Sequence, residues 1–152
     1  MGKLILFLFI FILVQCKPGI SSHEANNLTY LYSNDSFTMT IPKDWKYIKE
    51  QGEDSFIGLF VSKNDTLNFD CSRMGYANHL DELFKEENIQ TDSTSAFVRK
   101  IIYPKIVGQG ITGIYIQSRK SHSNFQMNGR NLSSKNQELA LHAFRTIELK
   151  NQ

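Results

Sequence analysis

The sequence predicts an α+β domain, a largely antiparallel sheet of roughly six or seven strands with two main helices packed on its faces. Period-two alternation of apolar and polar residues recurs along most of the chain, two segments carry apolar residues at helical spacing instead, and Gly, Pro or Asn-Asp marks many of the boundaries. The composition suits one such domain: 152 residues, 41% apolar, 12% aromatic with 11 Phe, and 21% charged. These proportions exclude a disordered chain, a collagen or a long repeat array, and a chain of this size buries a sizeable core without staples. Lys and Arg number 17 against 15 acids, a net charge of +2 that is too small for the electrostatic footprint of a nucleic-acid binder.

Taken in order, residues 1–15 read as an export signal, with Lys3 as the positive n-region and Leu4 to Val14 as an unbroken apolar run. A helix over that run spans about 16 Å, well short of the roughly 30 Å of a bilayer's hydrocarbon core, which argues against a permanent span. Leu13-Val14-Gln15-Cys16 resembles the lipobox of bacterial lipoproteins, which implies that Cys16 is acylated and becomes the new N-terminus. Gln15 stands where that motif usually carries Gly, Ala or Ser. The alternative is an ordinary secretory signal cut further along, near Ser21-Ser22. Residues 16–27, rich in Ser, Asn and Gly, form a tether with too little apolar surface to fold, and residues 28–150 form the single domain. With lipid on Cys16, Cys71 stands alone and no disulfide framework is expected.

Within the domain, Ser36 to Ile41 puts Phe37, Met39 and Ile41 on one face and hydroxyls on the other, and Pro42 closes the strand. Trp45 to Ile48 follows after a turn at Lys43-Asp44. Phe56 to Val61 is apolar on both faces and is expected near the centre of the sheet. Asn64-Asp65 turns the chain into Thr66 to Ser72, where Leu67, Phe69 and Cys71 share a face, so Cys71 reads as a small core residue rather than a reactive thiol. His79 to Asn88, with Leu80, Leu83 and Phe84 at helical spacing and Asn78 as N-cap, is expected to be an amphipathic surface helix. Ala96 to Ile106 and Ile111 to Ser118 are two long β-branched runs. Lys135 to Arg145, capped by Ser133 or Ser134, is a broadly apolar helix, and Thr146 to Leu149 a last strand.

Two of these segments carry a family resemblance. Phe37-Thr38-Met39-Thr40-Ile41-Pro42-Lys43-Asp44-Trp45 resembles the opening strand and turn of PsbP-like and Mog-like domains, which include DcrB-type envelope lipoproteins. Leu139 to Leu149 is similar to their closing helix and terminal strand. The resemblance runs from about Leu28 to Leu149 and implies an α/β/α sandwich around an antiparallel sheet, in a binding or assembly module without shared catalytic residues. Ser121 to Ser134 is shorter than the strand-rich region that the resemblance implies.

Catalytic and ligand-binding signatures are sparse. Gly108-Gln109-Gly110-Ile111-Thr112-Gly113 spells a dinucleotide fingerprint, but a β-branched run follows where the mechanism needs a helix, so Gly108 to Gly110 reads as a hairpin turn. His23, His79, His122 and His142 occur singly, without metal-ligand spacing, and no nucleophile elbow is present. Sequons at Asn27, Asn34, Asn64 and Asn131 matter only in a eukaryotic secretory pathway. Lys43, Lys46 and Lys49 and the pairs Arg99-Lys100 and Arg119-Lys120 read as solvent-facing strand ends and turns, with attraction to anionic headgroups as the alternative. The function expected is a lipid-anchored, non-enzymatic protein-binding or assembly module of the bacterial cell envelope. Its partners are an envelope protein and, through the lipid on Cys16, a membrane; no nucleic acid, nucleotide, metal or cofactor is expected. The alternative function is a secreted or tethered carrier of a small apolar ligand held inside the sandwich.

Overall fold

In the computed structural model, residues 29–72, 84–120 and 124–150 are described. Ten strands and one helix occupy them: β1 (Thr29–Ser33), β2 (Phe37–Pro42), β3 (Lys46–Lys49), β4 (Ser55–Val61), β5 (Thr66–Ser72), β6 (Glu87–Ser93), β7 (Phe97–Pro104), β8 (Ile111–Ser118), β9 (Asn124–Arg130), α1 (Ser134–Arg145) and β10 (Glu148–Leu149). Every pairing is antiparallel. A small sheet runs β1-β2-β10 and a large one β3-β4-β5-β9-β8-β7-β6.

This corrects the expected architecture. The chain is not an α/β/α sandwich with two main helices: strands take up 56% of the described residues, and α1 is the one helix among them. The body of the expected helix, residues 79–83, lies outside the described residues, but its last two positions, Glu87 and Asn88, open β6. Pairing overrides helical spacing here: Phe84 and Ile89 pack on Ile102 and Tyr115, while a Glu87 carboxylate oxygen accepts from the Ile111 amide at 3.0 Å. Phe56 to Val61 is not central either, since β4 lies second from the edge and the central strand is β9.

One face of the large sheet holds the core. Phe37, Met39 and Ile41 of β2 point into it, as their alternation requires, and meet Phe60, Leu67 and Phe69 of β4 and β5 and Phe125 and Met127 of β9. The Phe37 ring lies edge-on to Phe69 at 5.3 Å and to Phe125 at 4.8 Å, which ties the two sheets together at their centres. Helix α1 closes the remainder of that face by packing against β2 and β8 through Ala140, Ala143 and Phe144. At its C-terminus the Thr146 hydroxyl donates to the Ala143 carbonyl at 2.7 Å and accepts from the Thr40 amide at 2.9 Å, so one side chain stops the helix and binds it to β2.

Candidate functional site

The two ends of the large sheet are built differently, and the end carrying the β7–β8 loop is held by side chains distant in sequence. The β4–β5 turn brings Asp65 to the start of α1. Its Oδ2 accepts from the Ser133 hydroxyl at 2.7 Å, the Ser133 amide at 3.1 Å and the Asn136 side-chain amide at 2.6 Å. Ser133 makes no side-chain cap to its own helix, so Asp65 supplies the anion at the N-terminal pole from 68 residues away. Burial pushes the Asp65 carboxyl up, but these hydrogen bonds outweigh it and hold the group below its ordinary value of 3.8.

The β7–β8 loop is fixed beside that contact. Gly108 and Gly110 take φ of +82° and +75°, backbone that favours glycine, so the fingerprint glycines form the hairpin turn that the following strand demands. The buried Gln137 side chain accepts from the Gly108 amide at 2.9 Å. Asn131, itself at φ +53°, accepts from the Gly110 amide and returns its own amide to the Gly110 carbonyl, both at 2.8 Å. What this clamped loop presents is an adjacent pair of large apolar residues, Ile106 and Val107, each 61% exposed.

The free edges of the sheets form a second candidate surface. Edge strand β3 is four residues long and bounded by exposed Lys46 and Lys49, features that deter strand addition. At the opposite edge, β6 runs for seven residues and is exposed from Gln90 to Ser93, with β7 on one side and no strand on the other among the described residues. The outer face of the sheet between these edges is polar at its centre, where Asn68 pairs with Asn128 and Asp70 with Gln126.

Other expected site residues fall as follows. Cys16, with the whole signal and tether, lies outside the described residues, as do His23, His79 and His122. Exposed His142 sits on α1. Cys71 packs half-buried against the core beside Phe56 and Phe125, and burial pushes its thiol up, away from reactivity. Tyr47 is pushed up to about 12 by burial and by its hydrogen bond with Tyr32. Among the described residues, no group of three or more His, Cys, Asp or Glu could hold a metal, and no helix is long and apolar enough to cross a membrane. An open depression of about 470 Å³ lies at the β3–β4 loop, lined by Lys49, Glu50, Gln51, Gly52, Ser55 and Phe56, outside the space between the sheets. The Asp65 and Gln137 contacts have no local sequence signal, because their partners are brought together only by the fold. A scan of protein-family models and a search of curated proteins both give no match to this chain.

Proposed function

We propose that this chain is an exported, lipid-anchored, non-enzymatic module of the bacterial cell envelope that docks a protein partner along the edge of β6 that no described strand covers. The observation that carries the docking half is the contrast between edges: β3 is short and flanked by lysines, while β6 offers seven residues of backbone, free of Pro and exposed over its second half. An extended segment of a partner adds there as an eighth strand, with main-chain hydrogen bonds giving affinity and the alternate side chains of β6 giving specificity. The anchored half rests on the apolar run Leu4 to Val14 ending in Gln15-Cys16, and the resemblance to PsbP-like and Mog-like domains favours a binding role.

Two measurements test it. The intact mass of the chain recovered from host membranes is expected to equal residues 16–152 plus a diacylglyceryl group; an unlipidated mass starting downstream of Cys16 overturns the anchored half. A photo-crosslinking residue at Asp92 is expected to give a discrete adduct with one envelope protein, lost when Thr91→Pro removes an amide that faces away from β7 and kept with Thr91→Ser. A stoichiometric small-molecule mass with no protein adduct overturns docking in favour of a ligand carrier.

A further inference from the structure

We infer that the clamped end of the large sheet is a membrane-facing surface, which lays the Ile106-Val107 tip and a surrounding set of cations against a bilayer of anionic headgroups. This rests on the anchored reading of Cys16 and adds an orientation to it.

Three observations converge. The first is where the chain enters. Thr29 pairs with Pro42, the Tyr30 hydroxyl donates to the Trp45 carbonyl at 3.3 Å, and Lys46 follows directly to pair with Val61, one residue before the turn that carries Asp65. The tether from Cys16 therefore joins the domain at the end where the β4–β5 turn, the β7–β8 loop and the start of α1 lie. The 13 residues from Cys16 to Leu28 extend to at most about 45 Å, enough to let this end turn down onto the membrane that holds the lipid.

The second is charge. Lys63 in the β4–β5 turn, Lys105 in the β7–β8 loop, Arg130 at the end of β9 and Lys135 in the first turn of α1 are all exposed, and Lys43 and Lys46 stand at the tether's entry. Against these cations stand three exposed carboxylates, Asp44, Glu138 on α1 near Lys135, and Glu86, the last in a long 3.9 Å pair with Lys105. The opposite end mixes exposed Glu50, Glu53 and Asp54 with Lys49, Arg119 and Lys120. The basic residues of the sequence thus divide by position: Arg99 turns inward to donate to the Ile147 carbonyl at 3.0 Å, and Arg119 donates to Ser93.

The third is the tip itself. Two exposed large apolar residues side by side on a loop fixed through Gln137 and Asn131 are pre-ordered, so their insertion into the headgroup boundary costs little further ordering. Cations around an apolar tip match an anionic interface, where charge attracts and the apolar pair inserts.

The test uses the chain as purified from host membranes and reconstituted into vesicles of phosphatidylcholine with or without 30% phosphatidylglycerol. A polarity-sensitive fluorophore is placed at Val107→Cys or, at the far end, Ser95→Cys, with the wild-type chain giving the background from half-buried Cys71. The expected result is a blue shift, quenched by spin-labelled lipid, at position 107 only and only with phosphatidylglycerol, and its loss in Lys63→Ala/Lys105→Ala/Lys135→Ala with Trp45 fluorescence unchanged. A chain that floats with the vesicles while its label at 107 stays in water, or shifts equally at 95, overturns the inference and leaves the anchor standing. A shift at 107 in a chain that carries no lipid supports the surface and removes the anchored reading instead.

Discussion

The two ends of the seven-stranded sheet do the same topological task, reversing the chain between antiparallel neighbours, by different physical means. At the clamped end the reversals are held by partners far along the chain: Asp65 reaches Ser133 and Asn136, Gln137 reaches Gly108, and Asn131 reaches Gly110. At the other end the bonds close the β6–β7 turn locally or link it to the segment after β8. The Thr94 hydroxyl accepts from the Ala96 and Phe97 amides, and Arg119 bonds to the Ala96 carbonyl and to Ser93. A locally closed turn forms with its own hairpin and stays adaptable, whereas a turn clamped by distant buried groups has one position only once the whole sheet has formed. The first arrangement suffices for connection; the second suits a surface that must be presented rigidly.

Removing the central clamp should break this difference most. Asp65→Ala leaves the Asn136 amide and the Ser133 amide and hydroxyl without their acceptor and is expected to cost about 3 kcal/mol. Urea unfolding followed by the buried Trp45 measures it. Acid sharpens the same point. Because the folded carboxyl sits below its ordinary value, its contribution is complete above about pH 4 and is lost as pH falls through the lower folded value. The difference in stability between wild type and Asp65→Asn should therefore be constant above pH 5 and shrink below pH 4. A gap that persists unchanged to pH 2 would show that Asp65 carries no such linkage.

How much of this was legible in the sequence follows from the same distinction. The alternation in Phe37, Met39 and Ile41 is a one-strand signal, and the helix over residues 134–145 is likewise local, so both were readable. Strand β9 alternates too, with Phe125 and Met127 inward, but Asn124, Gln126 and Asn128 make it look like a loop, and only its place between β5 and β8 makes it the centre of the sheet. Strand β1 carries exposed Leu31 beside half-buried tyrosines and gives little periodic signal. Residues 87–93 hold one apolar side chain, Ile89, and become a strand because β7 templates them. The turn at Gly108 to Gly110 was readable from its glycines, but the groups that clamp it were not.

A smaller effect separates rigid presentation from stability. Gln137→Ala removes the acceptor for the Gly108 amide and is expected to cost about 1–2 kcal/mol, less than the Asp65 change because one neutral hydrogen bond is lost. Amide exchange at Gly108 should rise far more than exchange in the centres of β8 and β9. Uniform acceleration across the sheet would mean that Gln137 supports the core as a whole rather than the loop.

The smallest change belongs to the other end. Thr94→Ala deletes a hydroxyl that accepts at 3.2 and 3.3 Å in an exposed turn, where water replaces the lost partner. The Thr94 amide still donates to the Phe97 carbonyl at 2.9 Å, so the reversal keeps its backbone closure. The stability loss should be within about 0.5 kcal/mol, and exchange in the β7–β8 loop should not change at all. A loss approaching that of Gln137→Ala, or any loosening of Gly108, would show that the two ends are coupled through β7 and that the local turn is as much a part of the clamp as the distant one.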